Sequence, residues 1–221
     1  ARPARLFRLI QSPSYAAHNE DKIPFWPRSP HHPPRTTDEA NSMNAVTEIA
    51  EIVLRPSTPG DIPAITAIYG REVREGRSSF ELDAPDETEM TARRERLVSA
   101  GYPYLVATVR GEVAGYAYAG AYRPRPAYAG TVENSIYVHR DFHGRGIGRL
   151  LLRRLIAEAE AGGFRQMVAV IGDSANRASI ALHASQGFES VGTLRSVGWK
   201  HGVWLDSVLM QRPLGPGDTA P

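Results

Sequence analysis

The sequence contains no cysteine. That excludes a structural disulfide, a thiolate nucleophile and a cysteine-based zinc site, and it leaves the redox compartment open. Long hydrophobic runs are missing as well. No apolar stretch approaches the roughly 18 residues needed for a membrane span. The first ten residues, Ala1 to Ile10, are basic but lack a clean apolar segment followed by a small-residue cleavage site, so they read poorly as a signal peptide. Charge of one sign is also in short supply. A net charge of +2 lacks the concentrated basic excess of a dedicated nucleic-acid binder. The seven histidines include His31-His32 but show no H-E-x-x-H spacing, and no metal site is expected.

What is present divides into three parts. Residues 1–50 carry Pro3, Pro13, Pro24, Pro27, Pro30, Pro33 and Pro34, and no periodic apolar face survives among them. A disordered leader is the expectation, with Phe7, Phe25 and Trp26 as local docking candidates. Met43 is the expected biological start, and a genuine basic tail is the alternative. Residues 51–211 read as one domain of alternating strands and helices, and the proline- and glycine-rich 212–221 as a flexible tail. Within the domain, Ile52–Arg55 reads as a strand and Thr58–Asp61 as a turn into a helix bearing Ile62, Ile65, Ile68 and Tyr69. A polar loop (76–86) and a second helix (about 87–100, stopping at Gly101) follow. Strands over Tyr104–Val109 and Val113–Ala121 flank an Arg110-Gly111 turn. Gln166–Ile171 is an apolar strand, Asn176 opens a helix ending near Gly187, and Phe188–Leu194 with Val203–Met210 forms a hairpin around Gly198–Gly202. Such alternation implies an α/β fold, a mixed sheet with helices on both faces.

The chain is organised around residues 131–155. Ile136, Tyr137 and Val138 favour a strand, and Ile147, Leu150, Leu151 and Leu155 lie on one helical face. Between them runs H-G-R-G-I-G, residues 143–148. Glycines allow close backbone approach to an anion, the N–H groups of a helix start point outward, and the helix dipole favours negative charge. Arg140, Arg145 and Arg149 add cations. A P-loop would need Lys-Ser/Thr after its last glycine, and Arg149-Leu150 stands there instead. A dinucleotide fingerprint would open an early βαβ unit with an acidic residue about 20 positions on. The glycines here are Gly144, Gly146 and Gly148, late in the chain.

This loop resembles the pyrophosphate loop of the GNAT superfamily of N-acetyltransferases, Q/R-x-x-G-x-G/A, with His143 in place of Gln or Arg. Four further segments, in order, resemble the phosphinothricin / methionine sulfoximine N-acetyltransferase family. They are Phe80-Glu81; R-P-R-P-A-Y with T-V-E (123–133); A-V-I-G with Asn176 and L-H-A-S-Q-G-F (169–188); and G-W-K-H-G-V-W-L-D (198–206). The resemblance implies the GNAT fold, a mostly antiparallel mixed sheet flanked by helices, over about 51–211. It implies that acetyl-CoA binds as co-substrate, with no metal, at Ile136, Tyr137, Val138, His143, Gly144, Arg145, Gly146, Ile147, Gly148 and Asn176. A backbone N–H near Val138 would polarise the thioester carbonyl. Glu133, five residues ahead of Val138 and expected to face the same cleft where the strand splays, takes the family's general-base role. His183 stands where many superfamily members have a tyrosine that protonates the leaving thiolate; acid, second base and packed core histidine all remain open. Asn176 is a helix cap, a pantetheine ligand or both.

Arg123 and Arg125, in a proline-stiffened loop, are placed to clamp a carboxylate or a phosphinyl or sulfonyl oxygen. Phe80 and Tyr128 would wall the substrate pocket. An α-amine, with a pKa of about 7.7–8.0, costs on the order of 1 kcal/mol to deprotonate at pH 7, whereas a lysine side chain costs roughly 4–5 kcal/mol. One carboxylate therefore suits an amino-acid-like amine. The expected activity is direct acetyl transfer to that amine, of phosphinothricin, methionine sulfoximine or sulfone type. The alternatives are a peptide or protein amine, or a silent acyl-CoA-binding module. The resemblance further implies a cytoplasmic homodimer, with Trp199 and Trp204 in packing or the dimer interface, and leaves detoxification as the selected role open. No nucleic-acid or membrane partner is expected.

Overall fold

The computed structural model describes residues 51–219. Readings that fall on residues 1–50, including the leader, its docking candidates and a start at Met43, lie outside the described residues. The domain opens with strand β1 (Ile52–Pro56). The Asp61 carboxylate then accepts from the Thr58 N–H at 2.7 Å and the Thr58 hydroxyl at 2.9 Å, and two nitrogens of the Arg55 guanidinium reach it at 2.6 and 2.7 Å. This knot turns the chain into helix α1 (Ile62–Glu75). Helix α2 (Glu87–Ser99) starts on Asp86, whose carboxylate accepts from the Glu89 N–H at 2.8 Å. Strands β2 (Tyr104–Val109) and β3 (Glu112–Ala121) meet at Arg110-Gly111, both at positive φ (51° and 84°), as a tight two-residue hairpin requires.

Strand β4 (Thr131–Val138), helix α3 (Ile147–Ala161), strand β5 (Gln166–Gly172) and helix α4 (Arg177–Ala184) follow, and β6 (Glu189–Lys200) and β7 (Val203–Pro213) close the domain. The strands form one sheet in the order β1-β2-β3-β4-β5-β7-β6. Every neighbouring pair is antiparallel except β4–β5. The mixed, mostly antiparallel sheet flanked by helices is therefore the observed fold. Ile65, Ile68, Tyr69 and Val73 of α1 and Met90 of α2 pack with Tyr104, Val106 and Tyr116 on one face. Ile147, Leu151, Leu152 and Leu155 of α3 bury against Leu105, Ala117, Val132 and Met167 on the other. Each such side chain contributes roughly 1.5–3 kcal/mol when fully buried.

Two expectations change. The hairpin turns at His201-Gly202, both at positive φ, and β6 runs through Gly198 to Lys200. Positions 212–217 are not a loose tail: Leu214 is fully buried in the α3-side core and its N–H donates to the Arg165 carbonyl at 2.9 Å. Arg165 Nε in turn donates to the Gly217 carbonyl at 2.8 Å. One apolar side chain among prolines and glycines is enough to anchor the segment.

The feature that places the site is the β4–β5 pair. Its parallel register runs from Thr131↔Gln166 only to Asn134↔Ala169. Both strands continue, β4 to Val138 and β5 to Gly172, without pairing further. A wedge opens between them.

Candidate active site

The hydrogen-bond alternation of an antiparallel ladder decides what the wedge presents. His139 N–H donates to the Ala114 carbonyl and Tyr122 N–H to the Thr131 carbonyl, so the odd-numbered residues of β4 bond to β3. The N–H groups of Ile136 and Val138 therefore turn away from β3, toward the unpaired side. The Val138 carbonyl on that side lies 2.9 Å from His143 Nε2, which ties the glycine loop to the strand end.

In the loop, Gly144 (φ 75°) and Gly146 (φ 79°) are left-handed, a conformation glycine adopts without a Cβ penalty. Gly146 is the N-cap of α3, and the first intrahelical bond there is Leu150 N–H to the Gly146 carbonyl. The N–H groups of Ile147, Gly148 and Arg149 precede it and have no intrahelical acceptor. Gly148 differs in kind: a Cβ there would lie 3.3 Å from Leu182 Cδ2 of α4, so its smallness serves helix packing.

Strand end, loop and the start of α4 enclose a cavity of about 1070 Å³. All the residues expected at the cofactor line it except Arg145, whose guanidinium lies 5.1 Å from the Phe142 ring centroid. Asn176 lines the cavity and also caps α4, accepting from the Ser179 N–H at 3.1 Å. Gly76, Arg77 and Ser78 complete the wall. They press on the end of β5, where a Cβ on Gly172 would meet the Ser78 and Arg77 carbonyls at 2.6 and 2.8 Å.

The catalytic candidates are arranged differently from the sequence expectation. The strand does splay, but the five-residue spacing puts the side chains of Glu133 and Val138 on opposite faces, because strand periodicity is two. Glu133 shares the α1/α2 face with Ser135 and Tyr137 and does not line this cavity. It is half-buried, and desolvation raises its pKa above the ordinary carboxylate value, with Arg123 partly offsetting the shift. His183 is 4% exposed and also lies outside the cavity lining. Its Nε2 donates to the Asn134 amide oxygen at 3.0 Å, and its Nδ1 lies 2.8 Å from the Ser179 carbonyl.

The substrate candidates do not converge on this cavity. Arg123 is exposed, its guanidinium 5.1 Å from the Tyr122 ring centroid, and Tyr128 makes an edge contact with the same ring at 5.8 Å. Arg125 is exposed at the N-cap of a short 3₁₀ turn (Pro126–Tyr128). Phe80 packs on Gly198 so closely that a Cβ there would fall 2.5 Å from the ring. Trp199 and Trp204 pair across β6 and β7 with centroids 5.2 Å apart, yet are 55% and 63% exposed, which rules out core packing.

Sequence reasoning passed over two buried polar residues. Asn134 is 6% exposed and donates through Nδ2 to the Val168 carbonyl at 3.2 Å. An asparagine inside a strand-forming run is itself a signal, since asparagine is a poor strand residue. Lys200 is 3% exposed, and its ammonium donates to the Ser79 carbonyl at 2.6 Å, fastening the 76–82 loop to β6. Burial lowers its pKa, and Glu72 and Glu81 oppose that shift. Among the described residues, no group of three or more metal-ligating side chains comes together, and no helix is long and apolar enough to cross a membrane.

Residues 66–188 match the Acetyltransferase (GNAT) family. The chain is 50% identical over 193 residues to a phosphinothricin N-acetyltransferase of Alcaligenes faecalis, covering 87% of this chain and 98% of that one. The aligned stretch is longer than the chain from Met43 to its end, so the likeness continues upstream of that methionine. An L-methionine sulfoximine/L-methionine sulfone acetyltransferase of Pseudomonas paraeruginosa is 42% identical over 169 residues, covering 76% of this chain and 98% of that one. Among solved structures, a phosphinothricin acetyltransferase from Sinorhizobium meliloti in complex with acetyl-CoA superposes with a TM-score of 0.75 at 46% identity, covering 77% of this chain and 92% of that one. The glycine loop at a helix start, the wedge beside it and these likenesses agree: the chain belongs to the GNAT family of acetyltransferases.

Proposed function

We propose that this acetyl-CoA-dependent acetyltransferase acts on the α-amine of a small amino-acid-like molecule of phosphinothricin, methionine sulfoximine or methionine sulfone type. The observation that carries the reading is a half-buried carboxylate of raised pKa, Glu133, on the strand whose outward N–H groups line the cleft. The relatives named above, whose names carry those amino-acid analogues, support that substrate class.

The cleft fits the co-substrate. Unbonded N–H groups at the start of a fifteen-residue helix suit a diphosphate, and a cavity of about 1070 Å³ has room for the long pantetheine arm. Acetyl-CoA, when bound, supplies an activated acetyl thioester. Residues 143–149 hold its phosphates, and Asn176 borders its pantetheine arm. The Val138 N–H, unpaired in the sheet, polarises the thioester carbonyl and stabilises the oxyanion that develops on attack. Glu133 receives the amine proton through water; as the carbon–nitrogen bond forms the carbon–sulfur bond breaks, and CoA leaves as a thiolate that takes its proton from water. The raised pKa of Glu133 makes it a stronger base, and an α-amine asks only about 1 kcal/mol of it at pH 7. Arg123 and Arg125 receive the substrate's anionic end, and Phe80 and Tyr128 its side chain. The chain works as a homodimer, with Trp199 and Trp204 covered by the second copy.

The test is CoA release by the purified chain against free amino acids, peptides, phosphinothricin, methionine sulfoximine and methionine sulfone. The highest kcat/KM is expected for the last three. Turnover of peptide amines alone would replace this reading with a protein-directed one.

A further inference from the structure

Parallel pairing of β4 with β5 ends at Asn134↔Ala169, and the Asn134 side chain sits at that vertex. It reaches both sides of the wedge. Through Nδ2 it donates to the Val168 carbonyl of β5 at 3.2 Å, and its Oδ1 lies 3.0 Å from His183 Nε2 on α4. His183 continues the chain of contacts. Because Asn134 gives its Nδ2 to β5, Nε2 donates to Oδ1; Nδ1 lies 2.8 Å from the Ser179 carbonyl and 3.4 Å from the Ser179 hydroxyl, and the ring meets Phe188 edge-on at 5.0 Å. Asn176, Ser179 and Leu182, on the same helix turns, line the cofactor cavity.

A proton donor to a leaving thiolate needs an N–H free to reach the sulfur within hydrogen-bond distance. Burial disfavours the charged ring, and the one N–H of the neutral ring, on Nε2, is already given to Asn134 Oδ1, so Nδ1 faces Ser179 with no proton to donate. The ring is 4% exposed and absent from the cavity wall. A buried asparagine left without partners would cost about 1–3 kcal/mol, so its place on the strand depends on these bonds.

We infer that His183 is a positioning residue: together with Asn134 it forms a buried strut that fixes α4 against the vertex of the β4–β5 wedge and so sets the cofactor wall. The strut does not exchange protons with the substrates. The inference rests on the reading of the wedge as the acetyl-CoA site.

Four variants test it, His183→Gln, His183→Ala, Asn134→Ala and the double alanine, with calorimetric Kd for CoA, kcat, both KM values and the pH profile as readouts. Each alanine change is expected to raise the CoA Kd and the acetyl-CoA KM by about tenfold, the effect of one lost buried hydrogen bond. The double change is expected to be no worse than the poorer single by more than about twofold, because one device is removed twice. Glutamine can hydrogen-bond to Asn134 but cannot act as an acid near neutral pH. His183→Gln should therefore recover the CoA Kd to within about threefold of wild type and keep both limbs of the pH profile. A His183→Gln enzyme that binds CoA normally but loses about a hundredfold or more in kcat, with one limb of the profile gone, makes His183 a catalytic acid and overturns the proposal. An unchanged CoA Kd in folded Asn134→Ala also overturns it. Should the alanine variants fail to fold, His183→Gln alone decides. A wild-type chain that does not bind CoA would instead strike at the cleft assignment beneath it.

Discussion

Gly146 holds φ at 79° in open space, whereas Gly148 lies inside the first turn of α3 with Leu182 against it. The two should respond differently to substitution. Gly146→Val forces a β-branched residue into the left-handed region beside the phosphate site, and the acetyl-CoA KM is expected to rise at least about tenfold. Gly148→Ala adds one methyl at 3.3 Å from a mobile leucine end, partly repaid by helix propensity, and should change that KM by less than about threefold. Saturation kinetics in acetyl-CoA separate them, and equal effects would mean that backbone shape at Gly146 plays no part in binding. Glu133→Gln keeps the shape and removes the proton acceptor. At pH 7, kcat should fall by about 10² or more with CoA affinity intact, and recover as pH passes the amine's own pKa. In the wild type, the acidic limb of kcat/KM should lie above the ordinary carboxylate range, because burial raises the Glu133 pKa and the base works only when ionised. Near wild-type activity in the glutamine variant at neutral pH would remove Glu133 from the mechanism.

At the scale of elements, what starts α1 is electrostatic. Arg55 and both donors of Thr58 hold the Asp61 pKa down at about 2. A carboxylate whose folded pKa is depressed adds stability that is fully present above its unfolded pKa, near 4, and is lost as pH falls through the folded value. Asp61→Asn should therefore cost roughly 1–2 kcal/mol of unfolding free energy at pH 7, with mutant and wild type converging as pH approaches 2. Urea denaturation at pH 7 and near pH 2.5 checks this; an equal loss at both would assign the effect to packing. The loop after α1 is fastened from another direction, by Lys200 on the Ser79 carbonyl and by Glu72, which accepts from the Ser78 N–H at 3.0 Å. These contacts keep Arg77 and Ser78 over the end of the wedge.

For the whole molecule, β6 is an edge strand, and edges with exposed apolar residues invite a partner. Trp199 stands there beside the exposed Val197 and Leu194, and Trp204 faces it from β7. Replacing both tryptophans by serine should shift sedimentation from dimer to monomer at micromolar protein. A wild type that sediments as a monomer would contradict the pairing. The helices of the two faces do separate jobs. α3 supplies the helix start at the cavity and the larger core, while α1 and α2 cover the face on which Glu133 lies.

The sequence by itself determined what depends on near neighbours. The glycine loop between a β-branched run and an amphipathic helix, the Arg110-Gly111 turn and the capping residue Asn176 all express preferences set within a few positions. The class of the fold followed, as did the loop's resemblance to the family. Tertiary structure decided what depends on partners far along the chain. Strand periodicity fixed that Glu133 and Val138 face opposite ways, but only the loss of pairing after Asn134 opened the wedge. The ring of His183 lies against Ser179 on its own helix and against Asn134, 49 positions away, a neighbour that no local reading supplies. Lys200 meets the Ser79 carbonyl across 121 positions, and Leu214 turns an apparently loose tail into part of the core. Burial and register are properties of the assembled sheet, and no local window of sequence contains them.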